Sequence, residues 1–177
     1  MAKKTFENFN TTKKQEIFNA LLNEFSNHTL NDAQVARIVK NAKIARGSFY
    51  TYFTDLYDAY RWTLKQVLAE VHFSAKQDDL LNNSEKVLGD IEKSPYYDFL
   101  KNFFTVNNSL LEANDSKTAQ AQIMPNLTAA SSDQDVKAYL KQLVIHTLIR
   151  NMFIAPDKKA DFAQTLKIIN TWLDQKG

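Results

Sequence analysis

The chain has 177 residues, 44% of them hydrophobic and 24% charged, which is ordinary globular material with room for one good core or for a small domain beside a larger one. Three glycines and three prolines in such a length favour helices with short connections and argue against sandwiches and barrels. The absence of cysteine excludes disulfides and thiolate chemistry, and the formal net charge is only +2. That charge is unevenly spread: residues 1–62 hold nine Lys and Arg against six Asp and Glu, and the rest holds thirteen against fourteen. A basic head on a near-neutral body suits contact with a polyanion. Met1–Asn10 is polar, unlike a secretory signal. The longest near-apolar stretch, Leu143–Ala155, is interrupted by His146, Arg150 and Asn151 and falls short of the ~20 residues a bilayer needs. A cytoplasmic protein is expected.

In chain order, Thr12 with Gln15 reads as a capping box, followed by the stripe Ile17, Phe18, Leu21, Leu22 and Phe25. Ser26–Leu30 is a connection. Asn31 reads as the N-cap of a short helix, with Gln34 at its third position and Val35, Ile38 and Val39 on its apolar face. Asn41–Ile44 is a turn and Ala45–Tyr52 a very short helix. Thr54 and Asp55 cap a long helix to about Phe73, with Leu56, Tyr60, Leu64, Val67 and Val71 as its stripe. Lys76–Ser84 reads as a loop and Glu85–Glu92 as a short helix. Ser94-Pro95 predicts the start of a helix to about Glu112, rich in Tyr96, Tyr97, Phe99, Phe103 and Phe104. A helix over Ser116–Met124 stops near Pro125, and Ser131–Asp135 is a connection with cap residues. A long apolar helix spans Val136–Ile154. The last runs over about Asp157–Asp174, with Phe162, Leu166, Ile169 and Leu173 as its stripe.

Three short helices within about fifty residues, the last two joined by a tight turn, make a helix-turn-helix pattern. A helix that enters the major groove has to be short and present small and polar side chains outward. Arg46, Gly47, Ser48 and Thr51 suit that side, and Phe49, Tyr52 and Phe53 suit packing on the other.

The run from Lys40 to Phe53, above all Arg46-Gly47-Ser48-Phe49-Tyr50-Thr51-Tyr52-Phe53, resembles the signature of the tetracycline-repressor family. Ala20-Leu21-Leu22 with Phe25 is similar to that family's first helix, and Asp58 falls in the acidic start of its fourth. The resemblance covers about Lys13–Leu64. Three positions depart from it: Lys43 stands where the family has the turn Gly, Val39 where it has a small residue, and Leu56 where it has a phosphate-binding Lys. The resemblance implies that Arg46 and Ser48 reach bases or phosphates. Gly47 would admit close backbone approach, and Tyr50 and Tyr52 would place hydroxyls near phosphates. Asn31 would meet a phosphate at a helix N-terminus. Lys43 adds a cation in the turn, and Thr51 belongs to the same outward face.

Catalysis finds no constellation. His28, His72 and His146 lie far apart outside any His-Glu-x-x-His pattern, and three glycines build no phosphate-cradling loop. The chain is expected not to be an enzyme and to use no cofactor and no metal. Among the aromatics, Tyr97 and Phe104, with His146 and Arg150, are the expected wall of a pocket for a small-molecule effector. The helix Val136–Ile154 is apolar too far round its axis for one buried stripe. Leu148, Met152, Leu166 and Ile169 are therefore expected at or beside a two-helix dimer interface, which the resemblance implies as well.

The expectation is an all-α chain: a three-helix helix-turn-helix DNA-binding domain over residues 1–62 and a helical effector-binding and dimerisation domain over 63–177. It would act as a homodimeric, ligand-responsive repressor on a palindromic double-stranded operator. The alternative is a helical protein-interaction or nucleoid-associated factor that retains the same fold.

Overall fold

The computed structural model describes residues 6, 11–74, 84–114, 127–128 and 130–175. Every regular element among them is helical, as the apolar spacing predicts. They are α1 (Thr11–Asn27), α2 (Val35–Asn41), α3 (Arg46–Tyr52), α4 (Leu56–Ser74), α5 (Ser84–Lys93), α6 (Tyr97–Asn102), a π segment (Phe103–Asn107), α7 (Asn108–Asn114), α8 (Asp133–Ile154), a 3-10 turn (Pro156–Lys158) and α9 (Lys159–Gln175). The helix expected over Ser116–Met124 and most of the loop expected over Lys76–Ser84 lie outside the described residues. No described helix is long and apolar enough to cross a membrane.

The chain divides into two compact units. The first holds the described residues up to Ser74 together with Pro95–Phe103, and the second holds the remainder. The division expected after residue 62 falls inside α4, and α4 stays whole. Its buried Ala59, Tyr60, Thr63, Leu64 and Val67 recur at helical spacing, so one face runs on past residue 62.

In the first unit α1 packs against α2, α4 and α6. The core is largely aromatic. The Tyr60 ring stacks on Phe99 at 5.2 Å and takes Phe25 edge-on at 4.8 Å. Phe6, from the stretch read as merely polar, is buried against Tyr52, Phe53 and Trp62 at 5.4, 5.1 and 5.0 Å. Two polar ties bring α6 home. Asn102 Nδ2 donates to the Phe25 and Ser26 carbonyls at 3.1 and 2.9 Å, serving backbone acceptors in the last turn of α1. Tyr96 donates its hydroxyl to Glu70, and burial together with that carboxylate pushes the phenol up to about 12.

Several helix starts differ from expectation for local reasons. Thr12 lies inside α1, and Gln15 donates to Asn19 at 3.0 Å, so no capping box forms there. Ser94 closes the preceding turn by donating its N–H to Ile91 O at 3.1 Å, and the N-cap of α6 is Tyr96. The single helix expected to Glu112 widens into the π segment before resuming as α7. At α8 a true capping box forms. The Ser132 hydroxyl accepts the Asp135 N–H at 3.2 Å, and Asp135 accepts the Ser132 N–H at 2.8 Å. These bonds to Ser132 hold the Asp135 carboxyl below its ordinary value.

In the second unit α8 packs on α9, and α9 on α5. Lys159 Nζ meets Glu92 Oε2 at 2.6 Å. The core includes Ile91, Leu111, Ile145, Leu148, Met152, Phe153, Leu166 and Leu173. Of the residues expected at or beside a dimer interface, Leu148, Met152 and Leu166 are buried within the chain, and Ile169 is half-buried. The apolar side chains left at the surface of these two helices are Val136, Leu140 and Ile154 on α8 and Ile168 and Trp172 on α9.

Candidate nucleic-acid interface

The candidate interface is built on α2, a turn and α3. Helix α2 has seven residues, too few to be stable alone in water. Its N-cap is Gln34, in extended backbone with no capping bond from its own side chain. Glu24, from α1, supplies the missing acceptor: its Oε1 takes the Gln34 N–H at 2.8 Å. The same carboxylate accepts from Arg37 Nε at 2.9 and 3.0 Å and from Arg37 Nη2 at 2.6 Å. Asn31 is therefore not the N-cap. It sits in an exposed turn before α2, three residues ahead of the N-cap Gln34.

The turn has a defined chemistry. Lys43 has a φ of 51°, the left-handed region. Its N–H donates to Lys40 O at 3.3 Å, the Ile44 N–H to Val39 O at 3.0 Å, and the Ala42 N–H to Ile38 O at 2.9 Å. This is a Schellman closure of α2, which satisfies carbonyls that a helix end otherwise leaves open. The family-like position of a turn glycine is thus left-handed here with a lysine in it. Lys13 of α1 reaches the Ala42 carbonyl at 3.4 Å and Glu16 at 2.8 Å, placing a cation at the C-terminal end of α2.

Helix α3 follows, also of seven residues, with Ala45 as N-cap. Phe49 and Tyr52 face the core. Arg46, Gly47, Tyr50 and Thr51 are exposed, Ser48 is half-buried, and Lys43 is exposed in the turn beside them. Tyr50 is 44% exposed and packs edge-on to Phe49 at 5.3 Å. The Thr51 hydroxyl donates to Gly47 O at 3.2 Å, which leaves its lone pairs outward. A Cβ on Gly47 would meet nothing in the chain within 4 Å, so the fold itself does not require glycine there. Tyr52 is 8% exposed with its ring against Phe6, so its ring packs inward beside Phe49. The next helix is capped as expected, with Asp55 Oδ1 accepting the Asp58 N–H at 2.8 Å and Asp58 Oδ2 accepting the Thr54 N–H at 3.0 Å.

Of the expected pocket residues, Phe104 and His146 come together, with ring centroids 6.1 Å apart, and Phe104 stacks on Phe153 at 5.7 Å. Arg150 is exposed, and Tyr97 belongs to the first unit. Among the described residues no group of three or more His, Asp or Glu could hold a metal ion.

No family model and no curated protein matches the chain. Among solved structures, the chain is similar to a crystal structure described as a TetR family transcriptional regulator from Chloroflexus aurantiacus J-10-FL. Identity is 19%, over 99% of this chain and 98% of that one, with a TM-score of 0.42.

Proposed function

We propose that the chain is a DNA-binding transcriptional regulator of the tetracycline-repressor type, reading a duplex with the outward face of α3 and the Lys43 turn. One observation carries this reading. A left-handed turn joins two seven-residue helices, and the second helix divides cleanly, with Phe49 and Tyr52 inward and Arg46, Gly47, Tyr50 and Thr51 outward. A helix of that length with small and polar residues outward fits the major groove. Lys43 and Arg46 supply cations, and Tyr50 and Thr51 hydroxyls, for phosphates and base edges.

The regulator acts as a homodimer on a palindromic operator and represses. The exposed apolar side chains of α8 and α9 support the pairing, above all Ile168 and Trp172, which are 59% and 54% exposed and one helical turn apart. The second unit is the dimerisation and effector domain, and the Phe104–His146–Phe153 cluster is the proposed effector wall. Selection from a random duplex pool tests the reading. The expected product is an inverted repeat whose half-sites lie about one helical turn apart, roughly 35 Å. A pool that enriches no sequence contradicts it.

A further inference from the structure

We propose that Glu24 is the positioning residue of the reading head: its buried carboxylate fixes α2 on α1 and thereby sets where α3 meets the DNA. This rests on the DNA-binding reading above. Glu24 is 2% exposed, so its charge is out of water and has to be answered by partners. It is answered by the Gln34 N–H and by the Arg37 guanidinium, whose Nη2 also donates to the Asp32 carbonyl at 2.7 Å. The planar fork gives the contact a direction as well as an attraction. Apolar packing that includes Ile38 also seats α2 on α1, but that attraction has no direction of its own, and the N-cap residue of α2 makes no side-chain capping bond. At its other end the Lys13 contact to Ala42 is long, at 3.4 Å. Only the Ala42–Ala45 turn separates α2 from α3, so a tilt of α2 is carried into α3.

A second consequence concerns the phosphates. The Gln34 N–H, which would otherwise be an open donor at the start of α2, is taken by a carboxylate. A phosphate brought there would find that donor already taken. The burden of contact therefore moves to Lys43 and α3. With Glu24 buried and Arg37 35% exposed, desolvation of the carboxylate offsets much of the attraction, and orientation is what the pair supplies.

The experiment uses the full chain with Glu24→Gln and with the double variant Glu24→Leu, Arg37→Met. Circular dichroism and thermal unfolding first establish that each folds. Affinity is then measured for the selected duplex and for random duplex at two salt concentrations. The expected result is nearly unchanged affinity for random duplex and a loss of about tenfold or more on the selected one, the scale of one misread base pair. An unchanged ratio in folded variants overturns the proposal and leaves the pair a packing feature. Equal losses on both duplexes, with a salt slope shallower by about 0.9 per head, overturn it differently, by making Arg37 a phosphate contact. Should the double variant fail to fold, Glu24→Gln decides alone, since it keeps an acceptor for Gln34. If the wild-type chain shows no preference for any duplex, the DNA-binding reading itself fails, and that is visible before any variant is made.

Discussion

Lys43→Gly is expected to make the protein more stable and its DNA binding weaker. The φ of 51° at Lys43 places a Cβ-bearing residue in the left-handed region, which costs roughly 1–2 kcal/mol. Glycine removes that cost but loses more freedom on folding, by roughly 0.5–1 kcal/mol. The net expected gain is about 1 kcal/mol or somewhat less, equivalent to a rise of about 2–4 °C in melting temperature for a chain of this size. The Schellman bonds from Lys43 and Ile44 are made by the backbone and survive the change. Lys43→Ala is the control, because it removes the same cation and retains the left-handed penalty. Both variants should lose equal DNA affinity, with a salt slope shallower by about 0.9 per head. Urea or thermal unfolding of the three proteins decides the matter. If Lys43→Gly is no more stable than Lys43→Ala, the turn is not strained and the closure of α2 has been misread.

Gly47→Ala should leave stability unchanged or raise it slightly, since the new methyl meets nothing in the chain, yet weaken duplex binding by crowding the approach; equal affinity removes Gly47 from the interface. Arg46→Ala should cost about 1–3 kcal/mol of specific binding, with relaxed preference at a single base position, if Arg46 reads a base. Tyr50→Phe should weaken binding without altering the melting curve, and normal binding by both variants would contradict the assignment of α3. Ile168→Glu with Trp172→Glu should give helical monomers by sedimentation and circular dichroism, because both residues are more than half exposed and contribute little to the core. A dimer that persists places the interface elsewhere.

The helices were legible because their signals are local. The stripe Ile17, Phe18, Leu21 and Phe25 is buried as its spacing requires, and the Arg46–Phe53 run forms a short helix with the expected inward aromatics. What was not legible depends on contacts between distant residues. Glu24 and Arg37 lie thirteen positions apart on two helices, so no periodicity links them. That pairing, not a local Asn cap, starts α2. Phe6 lies in a stretch that reads as polar, and only the fold brings it against Tyr52 and Trp62. Met152 and Leu166 show the opposite limit. The surplus of apolar residues on α8 was visible, but which of them face α9 depends on how the two helices pack. The π segment at Phe103–Asn107 has no sequence signal of its own, and it changes the facing of the α7 residues that continue from it.

The most direct test of the central claim is a titration of the full chain with its selected duplex and with random duplex across a range of salt. A dimer neutralising about six phosphates should give a log–log slope of about −5 and a clear preference for the selected sequence. A slope near zero, or equal affinity for the two duplexes, would contradict the account.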